Sequence, residues 1–297
     1  MSRDAFASCH PVVNVVYFTA VLGFSMFFLH PLLQLFALAA AVTYSLLLRG
    51  ARAAKFNLLY LLPLLLVMAA ANPIFNHAGV TILFYLKNGN PITLESVLYG
   101  IASAFMYITV IIWFSCFNAV MSSDKLVFLL GRAAPALSLV LAMTLRFVPR
   151  YAHQIKVISQ AQRCIGRDVT QGSMIQRARN GLRILSIITS WAMESAIDTS
   201  DSMKSRGYGL PNRTSFTLVR FDRRDQLLLA VMLLLIGLVL AGAATGANSV
   251  RYFPSIHACA VSALGIAGYI ACFLLYMLPI ILAIVEEVRW NSIVSRM

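Results

Sequence analysis

Charge is what this sequence has least of. Only 12% of its 297 residues are Asp, Glu, Lys or Arg, against about a quarter in soluble domains. Acids are scarcest: 11 Asp and Glu stand against 24 Lys and Arg, a net charge of +13. Catalytic signatures are missing as well. There is no glycine-rich phosphate loop, no Gly-x-Ser-x-Gly and no His-Glu-x-x-His, which excludes ATP hydrolysis by this chain, a hydrolase elbow and a zincin site. Cys9, Cys116, Cys164, Cys259 and Cys272 form no Cys-x-x-Cys pair and have no His cluster beside them. They are expected to be small buried hydrophobes, and no catalytic residue, metal site or cofactor is expected. The N-terminal apolar run, preceded by one Arg and a nearby Asp, outlasts a cleavable signal.

What is abundant is apolar surface. Hydrophobic residues make up 60% of the chain and mean hydropathy is +0.79. That much apolar surface needs lipid as a second solvent. Six runs are long enough to span as helices: about 11–29, 31–48, 56–71 (ended by Asn72-Pro73), 96–121, 226–247 and 256–285. Arg49, Arg52 and Lys55 mark one loop as cytoplasmic. The loops carrying only Lys87 or only Arg251 are external, and Arg289 and Arg296 place the C-terminus inside. The expectation is therefore an all-α multi-pass protein of the plasma (inner) membrane of a prokaryote, with both termini cytoplasmic. Val80–Leu86 is too short to span and reads as a re-entrant or surface segment. Residues 126–148, interrupted by Gly131-Arg132 and Pro135, read as a helix pair on the inner face.

The charge that exists is concentrated. Between Arg146 and Arg224 lie 14 of the 24 basic residues. Leu182, Leu185, Ile188, Trp191, Ala192 and Ser195 recur among them at helical spacing, the pattern of amphipathic helices and not of a basic tail. One helix is predicted from Pro149 to Gly166 and a second from Ser173 to Ser205, with Gly166 and Gly207 as C-terminal glycines and Ser173 as N-cap. Arg206 ends the second helix. Its five-donor guanidinium suits a protein partner's carboxylates and carbonyls, or it complements its own helix dipole. Part of the stripe also serves the positive-inside signal and lipid headgroups. The expected organisation is spans one to four over 1–125, a coupling-helix region over 126–225 and spans five and six over 226–297.

Leu145-Arg146-Phe147-Val148-Pro149, Gln160-Ala161-Gln162 and Met203-Lys204-Ser205-Arg206-Gly207-Tyr208-Gly209, in this order, resemble motifs of a known family. Weaker echoes are His10-Pro11 and Asn72-Pro73-Ile74-Phe75 before Gly79. The family is the transmembrane T component (EcfT, CbiQ-like) of energy-coupling factor ABC transporters, and the resemblance covers nearly the whole chain. It implies a coupling scaffold with no enzymatic activity of its own. Its partners would be two ABC-type ATPase subunits, a small substrate-binding membrane subunit that takes a vitamin or transition-metal ion such as cobalt, and the bilayer. Ser205, Arg206 and Gly207 would dock one ATPase. Gln162, Arg163, Gly166 and Arg167 would dock the other, with Arg146 and Pro149 in supporting positions. The first motif departs from the family's Ala-Arg-Gly by placing Ile165 where arginine is expected. Arg163 or Arg167 stands in, or that end binds through apolar contact. Asn14 stands where the family usually carries a basic residue.

Other classes fit less well. Asp198 and Asp201 resemble half of a membrane prenyltransferase's magnesium-diphosphate site, but no second acid motif faces them. These acids, with Glu194, are expected to pair with Lys204 and neighbouring bases. A stand-alone permease would carry ionisable residues in mid-membrane, and the spans are nearly free of them. No nucleic-acid module is present, and no nucleic-acid partner is expected. The small residues of 37–41 and 240–246 pack helices together or seat a partner subunit.

Overall fold

The computed structural model describes residues 5–85, 91–208, 210, 221–246, 250–254, 257–258 and 262–295. The chain divides into two compact units, one formed by Met1–Ser122 with Val219–Met297 and the other by Ser123–Leu218. The fold is helical.

The first unit is a bundle. It contains α1 (Pro11–Phe27), α2 (Pro31–Arg49), α3 (Ala51–Phe56), a π-helical turn (Asn57–Leu61), α4 (Leu62–Phe75), α5 (Leu94–Val120), α9 (Arg223–Ala244) and α10 (Ala263–Val294). Among the described residues, five segments are long and apolar enough to cross a membrane: 31–49, 53–75, 94–120, 223–244 and 263–294. The sixth expected span, α1, is 17 residues, about 26 Å at the α-helical rise and short of the ~20 residues a perpendicular span needs.

Aromatic rings fill the centre. Trp113 of α5 is fully buried, with the rings of Tyr17, Phe18, Tyr44 and Tyr276 between 5.9 and 6.4 Å away. These four rings come from α1, α2 and α10, so one side chain joins four helices. Lipid tails are as apolar as leucine, and association in lipid rests on packing of this kind. Each well-oriented aromatic pair is worth about 0.5–1.5 kcal/mol beyond its buried area. Ala37, Ala40 and Ala41 are also fully buried in this core. The Cβ that Gly242 lacks would sit 3.3 Å from Gly268 Cα. Both small-residue stretches thus contribute to packing within the bundle.

At one end of the bundle, His10 N–H donates to Asp225 Oδ1 (3.3 Å) and its ring meets Phe221 edge-on. Arg224 pairs with Glu286 at 3.8 Å. Arg49 donates to Ser115 Oγ and its carbonyl at 2.7 and 3.0 Å. At the other end lie two antiparallel hairpins, β1 (Ile82–Tyr85) with β2 (Pro91–Thr93), and β3 (Val250–Arg251) with β4 (His257–Ala258). Tyr252 donates to Leu29 O at 2.9 Å and stacks edge-on with Tyr99. The apolar run at Val80 is thus an exposed strand; Leu86 falls outside the described residues, as do Lys87 and Arg296.

Two span boundaries differ from the sequence reading. Asn72-Pro73 does not end its helix, because α4 continues through Pro73 to Phe75. Pro73 has no N–H for the carbonyl of Ala69. Gly100 of α5 faces that same carbonyl so closely that a Cβ there would lie 2.7 Å from Ala69 O. The missing donor and the missing side chain let α4 and α5 touch. The last span begins at Ala263, where Ser262 Oγ accepts from Gly265 N at 3.1 Å, and continues to Val294.

The second unit holds α6 (Ser123–Ala133), α7 (Pro135–Cys164) and α8 (Met174–Ser205). Residues 126–148 do form two helical stretches, broken at Ala134 before Pro135. However, α7 does not start at Pro149; it runs straight through that residue. Pro149 withholds one hydrogen bond from the Leu145 carbonyl, and both residues are exposed, so solvent can satisfy it.

The Gly242–Gly268 contact gives a direct test. Gly242→Leu should destabilise the bundle by roughly 1–3 kcal/mol through overpacking, lowering the thermal midpoint of the detergent-solubilised chain. Gly237→Leu, at a site with nothing within 4 Å of the added Cβ, should leave it unchanged.

Candidate functional site: two glycine-terminated helix ends

α7 and α8 pack as an antiparallel pair. Ile158 of α7 meets Ile184 and Ile188 of α8, with Val169 and Trp191 alongside. Tyr151 lies edge-on to Trp191 at 5.5 Å, and the Arg150 guanidinium sits 5.1 Å from the same indole ring centre. Arg146 and Pro149 lie near this contact, in mid-helix and away from either helix end. Arg146 is exposed.

The two helix ends close with the same backbone motif. At the end of α7, Arg167 N–H reaches Gln162 O (2.9 Å) and Gly166 N–H reaches Arg163 O (3.0 Å). At the end of α8, Tyr208 N–H reaches Met203 O (3.1 Å) and Gly207 N–H reaches Lys204 O (3.0 Å). Gly166 and Gly207 have φ of 74° and 78°, the left-handed conformation a Schellman cap requires and glycine adopts without strain. Superposing the motifs pairs Gly166 with Gly207, Cys164 with Ser205, and Ile165 with Arg206. Ile165 is 61% exposed and Arg206 is exposed. The two ends flank α8, whose 32 residues span about 48 Å.

Their surroundings differ. The α7 end is braced. Arg163 Nε pairs with Asp168 Oδ2 at 3.3 Å. Asp168 also accepts from Thr170 N and Oγ1 at 2.9 and 2.8 Å. Asn180 Nδ2 donates to Asp168 O, and Arg177 Nε to Val169 O. Ser173 and Gln176 form a reciprocal capping box at the start of α8. An open pocket of about 470 Å³ lies between Arg163, Asp168, Gly172 and Arg179. The bonds from Thr170, and then the Arg163 charge, hold the Asp168 carboxyl below its ordinary value. Arg163 is engaged by Asp168, whereas the Arg167 side chain has no partner among the described residues. Gln162 is half-buried and its Oε1 is likewise unpaired among the described residues. The α8 end is barer. Ser205 Oγ donates to Ser202 O, and the Arg206 side chain has no partner among the described residues. Gly209 and Arg213 lie outside them.

Other sequence candidates separate. Asp201 pairs with Lys204 at 3.6 Å on the exposed face of α8, and Asp198 is exposed one turn earlier. Glu194 and Asp198 form no ion pair with Lys204. Cys9, Cys116 and Cys272 are buried as expected, whereas Cys164 is exposed, because it occupies the last turn of α7 beyond the α7–α8 contact. Cys259 lies outside the described residues.

Long apolar spans, a basic amphipathic helix hairpin and two matching glycine caps define a membrane-embedded scaffold with exposed helix tips. The sequence profile of the CbiQ family, described as cobalt transport protein, matches residues 8–216, and the chain belongs to that family. Over 105 residues it is 38% identical to the energy-coupling factor transporter transmembrane protein EcfT of Lactobacillus helveticus, and 35% identical to that of Lacticaseibacillus paracasei. Over 108 residues it is 32% identical to the EcfT of Streptococcus thermophilus. These matches cover 35–36% of this chain and 38–40% of the relatives.

The Asp168 brace is sensitive to acid. Because its folded pKa is depressed, its stabilising contribution is present above the ordinary aspartate value of 3.8 and is lost as pH falls through the lowered folded value. Hydrogen-exchange protection of the Thr170 amide should hold at neutral pH and fall on acidification through that window. Asp168→Ala should remove it at neutral pH.

Proposed function

We propose that this chain is the transmembrane T component of an energy-coupling factor transporter. It transmits ATP-driven motion of two partner ATPases to a small membrane subunit that binds a vitamin or transition-metal ion. The end of the bundle carrying Arg49, Arg224 and Arg289 faces the cytoplasm, together with the α7–α8 hairpin and both termini, as the lysine and arginine distribution favours. The ATPases carry out the hydrolysis, since this chain has no phosphate loop.

The observation that carries this reading is the pair of equivalent Schellman-capped tips, separated by the length of α8, in a chain of this family. Each tip offers one exposed residue before its glycine to a groove on one ATPase. At the α8 tip Arg206 supplies a planar cation for carboxylates or carbonyls, and Gly207 lets the chain turn away. At the α7 tip the equivalent position is Ile165, with Arg167 two residues further on. That end docks by apolar contact flanked by charge, so the two ATPases are expected to present different grooves, as a heterodimer would.

Charge reversal at one tip tests the assignment. Arg206→Glu should weaken ATPase association by at least tenfold and abolish uptake, while the thermal midpoint of the isolated chain stays at the wild-type value. Intact assembly and transport in that variant would overturn the docking role. Ile165→Arg restores the family's usual residue at the other tip. Retained assembly would mean that this groove still accepts arginine, and loss of one ATPase would identify the contact as apolar.

A further inference from the structure

Strand β1 is an anomaly for a protein surface. It reads Ile82-Leu83-Phe84-Tyr85, and all four side chains are exposed. A strand packed on a protein core alternates buried and exposed positions, because successive side chains point to opposite faces. Its partner β2 does pack: Ile92 is 8% and Thr93 0% exposed. β1 therefore hangs off β2 as an apolar edge strand with neither face covered, an arrangement that invites aggregation in water.

The hairpin is nevertheless firmly positioned. Glu95 Oε1, at the start of α5, accepts from Thr81 N and Oγ1 at 3.2 and 2.9 Å, and Thr93 Oγ1 donates to Ala78 O at 2.7 Å. Gly79 makes this closure possible. A Cβ there would stand 2.6 Å from Glu95 Oε2 and 2.7 Å from Thr93 Oγ1, at a φ of 142°. The strand is thus held against the ends of α4 and α5, not loosely tethered. Only 6% of the most apolar stretch of the 53–75 segment, which ends in α4, is buried inside the protein, against 28–44% for the other candidate spans. Phe75, the last residue of α4, is 83% exposed, and Val80 just beyond it is 69% exposed.

We propose that β1 is a membrane-interface anchor: its Ile82, Leu83, Phe84 and Tyr85 side chains insert into the headgroup–acyl boundary beside α4 and continue that helix's lipid-facing surface. Its depth is limited by its own backbone. A two-stranded hairpin leaves unpaired N–H and C=O groups along its free edge, and these must reach water or headgroups, which rules out the hydrocarbon centre. Phe and Tyr suit that boundary. Ile82–Tyr85 and Pro91–Thr93 carry no charge, and the sequence between them holds one, Lys87. The occupant is the lipid surface and not a second protein: the strand follows the end of the 53–75 segment, which of the candidate spans buries least against the rest of the chain and so leaves most of its apolar surface to the bilayer. The inference rests on the 53–75 segment crossing the bilayer and is independent of ATPase coupling.

The test is site-directed photo-crosslinking in native membranes with the transporter subunits co-expressed. A benzophenone amino acid is placed at Phe84, at Tyr85 and, as a control on the exposed face of α8, at Asp201. The expected result is phospholipid adducts at the two strand positions, several-fold above the control. Adducts to another protein at those positions would overturn the proposal, as would no adduct at either. A second measurement does not depend on crosslinking chemistry: Phe84→Trp in the full chain, reconstituted in vesicles of brominated phosphatidylcholine. Added fluorescence should be quenched more by bromines near the headgroup than by bromines deep in the chain. Quenching by aqueous iodide without quenching by either lipid would contradict the anchor.

Discussion

In hydrocarbon a helix has no water to leave behind when it meets another helix. The hydrophobic effect that assembles soluble cores is absent there, and association depends on how well surfaces fit and on groups that can bond only inside the protein. The bundle meets this constraint with one large contact and several very small ones. Trp113 occupies the centre, where rings from three other helices converge. Glycine is used where backbones must touch: Gly242 against Gly268, and Gly100 against the Ala69 carbonyl that Pro73 leaves without a donor. Polar bonds tie the helix ends, His10 to Asp225 at one face and Tyr252 to Leu29 at the other. The bundle is thus fixed at its middle and at both ends.

The α7–α8 hairpin is built by different rules. It is charged and amphipathic, and its small apolar contact, Ile158 with Ile184 and Ile188, lies near the turn. Beyond that contact α8 extends as a single helix to the Arg206 tip. A long helix with a capped tip transmits displacement with little bending, and in the proposed role the two tips receive force from two ATPases. The asymmetry is local. The backbone motif repeats, yet one tip is braced by Asp168 and Arg163 and presents isoleucine, while the other presents arginine.

Much of this was legible in the sequence, for reasons that vary by element. The spans announce themselves by length and apolarity. α8 could be bounded closely because Ser173 and Gly207 are strong end signals, and the structure has a capping box at one and a left-handed glycine at the other. Proline misled twice. Pro73 and Pro149 read as boundaries, but each sits inside a helix, since one lost hydrogen bond is tolerated when a neighbouring helix or solvent meets the freed carbonyl. The run from Val80 stood out as a re-entrant or surface segment, but not as a strand, because the four apolar residues of Ile82–Tyr85 carry no period. The Asp168 brace was overlooked, although Asp168-Val169-Thr170 has the spacing of an Asx turn and Ser173-Met174-Ile175-Gln176 that of a capping box. The equivalence of Ile165 with Arg206 came from motif alignment and is matched by the hydrogen bonds of both caps.

The most direct test of the coupling account is to isolate this chain from its native membrane in a mild detergent and identify by mass spectrometry what remains bound. The account predicts two ABC-type ATPases, present in equal amounts with this chain, and one small hydrophobic membrane protein whose identity names the cargo. A chain that purifies alone and binds or converts a small molecule by itself would contradict it.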